Sequence, residues 1–468
     1  KELLNVSIAT IQRMNDWFDH AFQGLAVAAP PAEVHELAVL VYQSMEGKTR
    51  TYHTASHVFS LCEGMKPIQI LAALFHDVVV YQIDGGLPDW LSPLLDGVTY
   101  SESGNLFLRE FAPEDRTAAL CADIFGFCPG QVLLTRNGMN EFLSAVVAAR
   151  QLQHYLSDTQ LITLVACIEL TIPFRAPDAM GHSAAQALAR RVQAHCSKWA
   201  PSALISESQK AAFVKTTVMD AVDFANRDLA GFTSAAAEYC LSNSMLLVDE
   251  SMAPKATPEA NTLQVYRTAL LGMDNFLKQL NPVLIVQNYD GHPDVSAVMK
   301  MQVTAKRNIT FVRDYLAAVI SAVAIIEAVA MSTGTESSIS LFLKCNTWSR
   351  TDSDSRRNLF PVPKSNSTAQ SGVHQLLANG LKLENHEGLR ALPLTACVYA
   401  FLGREGTRNA LQRAKLMFEG TLKPSAFLLD MDRKLIGAVI REMASKETLH
   451  QKAIFSLECD LYASSMST

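Results

Sequence analysis

Apolar residues recur at three- and four-residue spacing through most of this chain, and two-residue alternation is nearly absent. Segments 15–25, 32–45, 68–81, 116–124, 139–156, 184–197 and 208–224 all carry the pattern. Such spacing lines one face of an α-helix with apolar side chains, whereas a half-buried strand alternates with period two. The β-branched stretch 285–287 is too short to build a sheet. The expected fold class is all-α.

The chain has 468 residues, more than one ordinary core holds, so two or three domains are expected. With 49% apolar and 18% charged residues, the composition is that of a globular protein and not of a disordered one. A net charge of −6 argues against a dedicated nucleic-acid binder, which carries a basic excess. The nine cysteines are scattered from Cys62 to Cys459 without a CxxC pair. They read as buried thiols of a reducing compartment, so a cytoplasmic location is expected and a thiolate zinc site is not. No charged-then-apolar signal segment opens the sequence as given. The most apolar run, residues 315–331, contains Glu327. A membrane span takes about 20 mostly apolar residues. The run is shorter and holds a carboxylate, so it is expected to be a buried core helix and not a membrane span.

Two stretches read as connectors. One is 251–261, rich in proline and small residues; the other is 332–372, polar and with two prolines flanking Val362. They predict a first domain over 1–250, a helical middle segment over 251–331, a linker or long loop over 332–372 and a helical region over 373–468.

The residues with chemistry lie in the first half. Residues 49–57 read TRTYHTASH, and on a helix His53 and His57 share one face, a turn apart. Nineteen residues after His57, the apolar run 68–75 ends in the doublet His76-Asp77. An apolar helix that ends in His-Asp carries two ligand-type groups to a buried place, where imidazole nitrogen and carboxylate oxygen suit a divalent cation. Much later, AVDFANRDL supplies Asp223 and Asn226 on another apolar helix.

This ordered set resembles the HD superfamily of metal-dependent phosphohydrolases, whose signature is a His, a His-Asp doublet and a distant Asp. YHTASH followed by LAALFHDVVVY is similar to small bacterial HD proteins. Asp223-Phe-Ala-Asn226 is similar to the last metal-binding motif of the cyclic-nucleotide phosphodiesterases. The resemblance covers residues 50–228 and implies a helical-bundle HD domain followed by a further helical region. It implies His57, His76, Asp77 and Asp223 as ligands of one or two divalent ions (zinc, manganese, magnesium, iron, nickel or cobalt). Asp77 would be the bridging carboxylate, His53 the proton donor to the leaving group and Asn226 a substrate contact. The substrate implied is small and phosphorylated, a nucleotide among the options, and homo-oligomers fit the family.

Two departures narrow the resemblance. Val80 stands where the phosphodiesterases carry a His, and Val78 to Val80 stand where the cyclic-dinucleotide variant carries Gly-Lys. A protein that keeps the fold and binds a ligand without turnover is the alternative, and an iron-dependent oxygenase on the same scaffold is a third. A phosphoryl group calls for a cation nearby. Arg50, three residues before His53, Arg175, at the end of the apolar LVACIELTIPFR, and Arg227, next to Asn226, are the candidates. The Asp-x-Asp of FLLDMDRKL lacks the Gly-Thr that a dehalogenase-like phosphatase needs and reads as a turn into the helix 434–444. No phosphate-binding GxxxxGK[ST] or GxGxxG occurs.

Overall fold

The computed structural model describes residues 2–112, 114–199, 201, 203, 206–252, 263–346, 372–381, 388–447 and 449–463. The protein is predominantly all-α, as the periodicity requires; among the described residues the only sheet is one of three short strands. Contacts divide the chain into two compact units.

The first unit comprises residues 1–235 and 280–306. Its helices are α1 (Glu2–Gly24), α2 (Pro31–Met45), α3 (Ala55–Cys62), α4 (Pro67–Phe75), α5 (Tyr81–Asp84), α6 (Arg116–Phe125), α7 (Met139–Leu152), α8 (Asp158–Leu170), α9 (Ala184–Trp199), α10 (Glu207–Asp228) and α11 (Ala230–Thr233). Strands β1 (Thr99–Glu102), β2 (Asn105–Leu108) and β3 (Val132–Leu133) form the antiparallel sheet. The starts of the helices are local. Pro31 and Pro67 open α2 and α4, where a missing N–H costs nothing. Asp115 caps α6, and Ser157 with Gln160 and Ser206 with Gln209 close capping boxes on α8 and α10. All of α4 from Ile68 to Phe75 is buried, as is α8 from Leu161 to Leu170. A helix apolar all round belongs at the centre of a bundle, and α8 packs on α4, α7 and α10.

The second unit comprises residues 236–279 and 307–468. It holds α12 (Ala237–Met252), α13 (Leu263–Gln279), most of α14 (Val295–Thr333), α15 (Ile339–Cys345), α16 (Gly372–Asn379), α17 (Pro393–Phe418), α18 (Pro424–Leu429), α19 (Arg433–Lys446) and α20 (Gln451–Ala463). Helix α14 is long and apolar enough to cross a membrane by length and composition, but 83% of its most apolar stretch is buried within the protein. Residues 315–330 are all buried, and Glu327 pairs there with Arg267 of α13. Asp432 caps α19 by accepting from the amides of Lys434 and Leu435, which is the turn into a helix that FLLDMDRKL predicts. Seven of the nine cysteines are buried; Cys128 and Cys459 are exposed.

The units do not follow the sequence boundaries 250, 331 and 372. Helix α12 belongs with the second unit, and 280–306 returns to the first, because packing groups helices by the faces they share and not by chain order. Part of the 332–372 stretch is helical, as α15; residues 347–371, and 253–262 of the other connector, lie outside the described residues. The helix predicted over 68–81 ends at Phe75. The chain then turns through His76 to Val80 into α5, and the amides of Val79 and Tyr81 donate to Ser144 Oγ and Asn140 Oδ1 of α7.

Candidate metal centre

The site is built where the end of α4, the start of α3 and the end of α10 meet. His76 is the residue that caps the C-terminus of α4 and is 2% exposed. Its Nδ1 donates to the carbonyl of Ala73 at 2.9 Å, which leaves Nε2 as the free nitrogen of the neutral ring. His57 lies in the first turn of α3. Asp228 is the last residue of α10. A carboxylate at a helix C-terminus meets the negative end of the dipole and needs a cation.

The ligand-type atoms of His57, His76 and Asp228 all lie within 4.8 Å of one another, a group that can hold a metal ion. Asp228 Oδ1 is 3.3 Å from His57 Nε2 and 3.7 Å from His76 Nε2. Asp77 Oδ2 flanks the group, 2.9 Å from His76 Nε2 and 3.6 Å from His57 Nε2. Yet both Nε2 atoms are buried without a hydrogen-bond partner, so these oxygens lie off the lines along which the rings would donate. Ligand atoms about 2.1 Å from a common ion sit about 3 to 3.5 Å from one another. Two orphaned imidazole nitrogens beside two carboxylates at such separations fit a divalent cation better than they fit each other.

The electrostatics agree. Burial pushes His76 down, but Asp77 and Asp228 outweigh it and hold it well above the usual histidine range. Burial would raise Asp77 and Asp228, but the neighbouring imidazoles hold both well below the usual carboxylate range. The pocket therefore attracts positive charge, as protons or as a metal ion.

Asp223, expected as the fourth ligand, is elsewhere. It is five residues before Asp228 on the same helix, about 140° round the axis, and accepts from His292 Nε2 at 2.6 Å with 36% of its side chain exposed. Asp228, two residues beyond the Asp-x-x-Asn match, takes the place expected for it. Asn226 does not face the site as a substrate contact. Its Oδ1 accepts from the amide of Gln287 at 2.7 Å and its Nδ2 donates to the Gln287 carbonyl at 2.9 Å, which ties the returning segment to α10.

Neither Arg50 nor Arg175 is a free phosphate clamp. The Arg50 guanidinium is fully buried and grips Asp84 in a bidentate pair at 2.9 and 2.6 Å. It also donates to the carbonyls of Asp77 and Val78. It positions the doublet through the backbone. Arg175 is bound to the buried Glu169, which Arg191 shares. His53 precedes α3, so it and His57 are not on one helical face, but its charge still bears on Asp77.

One site group escaped the sequence reading. Glu141, in the first turn of α7, has a buried Oε2 without a partner. Burial raises its carboxyl to about 7, and Asp77 and His76 act on it electrostatically. Gly138 stands just before its helix, and a φ of 91° and the closeness of Ile172 exclude a side chain there. An isolated Glu in an amphipathic helix carries no sequence signal; burial of its oxygen beside the doublet is what marks it.

Compared with models of protein families, with curated proteins and with solved structures, the chain finds no match in any of the three.

Proposed function

We propose that the chain is a metal-dependent hydrolase of a phosphomonoester, phosphodiester or nucleotide, of the HD-superfamily type. One observation carries the reading: the buried, unpartnered Nε2 atoms of His57 and His76 converge with the carboxylates of Asp77 and Asp228. These four residues would hold the cation. When bound, a divalent cation lowers the pKa of a water from about 16 towards about 7 and neutralises charge on a phosphoryl oxygen.

The remaining roles fall to the chain. Glu141, with its unpartnered oxygen and raised pKa, takes the proton that the attacking water loses. The water oxygen joins phosphorus, the ester P–O bond breaks, and His53 gives a proton to the departing oxygen. Arg50 keeps the doublet in place from behind. Val80 is buried and offers no ligand, which favours one ion over two.

Metal content by mass spectrometry, with hydrolysis of an aryl phosphodiester and an aryl phosphomonoester, tests the reading on wild type and Asp77→Ala. Near-stoichiometric metal and turnover, both lost in the variant, support it. Hydrolysis by Asp77→Ala at the wild-type rate overturns it. Metal retained by wild type without turnover of any phosphorylated compound points instead to a binding or regulatory protein.

A further inference from the structure

The first unit also holds a cavity of about 210 Å³, where the first turns of α6 and α8 meet the end of α9. His195 lines it and is 6% exposed. Its Nδ1 lies 2.9 Å from Asp123 Oδ2, and since a carboxylate only accepts, Nδ1 carries the proton. Asp123 also accepts from Trp199 Nε1 at 2.9 Å and Lys198 Nζ at 3.1 Å. Burial would raise its carboxyl, but these donors hold it at about 2. A permanently ionised Asp123 therefore fixes the ring, and among the described residues Nε2 has no partner but the cavity. A carboxylate that orients a buried imidazole is the arrangement by which proteins aim its other nitrogen at a ligand.

The rest of the lining says what that ligand is. Arg116 stands at the start of α6 with its guanidinium 5.5 Å from the Trp199 ring centroid. The positive ends of α6 and α8 meet here, which favours an anion. Asp158, in the first turn of α8, also lines the cavity and opposes a second negative charge. Leu120, Leu161, Ile162, Trp199 and Pro201 supply the apolar part of the wall, and Thr117 and Gln153 add two neutral polar side chains.

We propose that this cavity binds a small organic monocarboxylate with an aromatic or branched aliphatic body. The carboxylate takes hydrogen bonds from Arg116 and from the His195 ring at Nε2, with Asp123 holding the ring from the other side. The body lies against Trp199 and the three aliphatic side chains. The proposal is independent of the metal centre, since it uses none of its residues.

Isothermal titration of the full chain with benzoate tests it, with benzyl alcohol as the neutral counterpart. Saturable binding of one benzoate is expected, with benzyl alcohol about tenfold weaker or worse. Arg116→Gln and His195→Phe should each weaken benzoate about tenfold or more. Arg116 is exposed, so that variant keeps its fold and decides the matter if His195→Phe does not fold. No saturable binding in the millimolar range, equal binding of benzyl alcohol, or equal binding by Arg116→Gln overturns the proposal.

Discussion

Arg50 Nη1 donates to the main-chain carbonyl of Asp77 at 2.7 Å, from a guanidinium that has no contact with solvent. The residue read as a phosphate contact is thus a brace beneath the His76-Asp77 doublet. Removing one partner of a buried pair leaves the other charge uncompensated, at a cost of about 3–5 kcal/mol. Arg50→Ala should lose about that much in urea unfolding and lose metal with it. Arg50→Lys should recover little, because an ammonium cannot make the bidentate contact with Asp84.

Asp228 and Asp223 separate the tertiary reading from the sequence motif. Asp228→Ala should lower metal affinity by more than the roughly 10–100-fold that losing an outer-sphere partner costs. Asp223→Ala should keep the wild-type metal content. The reverse result, by metal analysis of the two purified variants, would return the ligand role to Asp223.

Glu141 makes stability depend on pH. Burial lifts its folded pKa to about 7, above the 4.5 of an exposed glutamate, so the folded state binds the extra proton between them. The protein is then most stable below that window and loses up to about 3 kcal/mol as pH rises through it. Glu141→Gln cannot lose a proton. In chelator-treated protein it should melt later than wild type at pH 8 and show a flatter pH profile, as thermal unfolding between pH 5 and 8 would reveal.

Asn226 holds Gln287 by two hydrogen bonds to its backbone. Asn226→Ala leaves both groups to find water, at about 1–3 kcal/mol. Amide exchange over residues 285–292 should speed up while metal content stays unchanged. A substrate contact would behave the other way, with exchange unaltered and KM raised.

Much of the fold is written in local pattern. Apolar periodicity marked the bundle helices, and Pro31, Asp115, Ser157 and Ser206 mark starts that need nothing beyond a few neighbours in the chain. The doublet His76-Asp77 was legible for the same reason, since an apolar helix ending in two ligand-type residues is a contiguous signal. What the sequence by itself could not determine was phase and partnership. Asp223 and Asp228 differ only in their angle round α10, and that angle acquires meaning when α10 docks against α4 through α8. Arg50 and Arg175 look like any arginine until Asp84 and Glu169 arrive from elsewhere in the chain. Glu141 becomes a site group only because α7 buries its oxygen near Asp77. Helix formation follows from interactions a few residues apart, whereas a buried charge acquires its role from whichever side chains the packed core sets beside it.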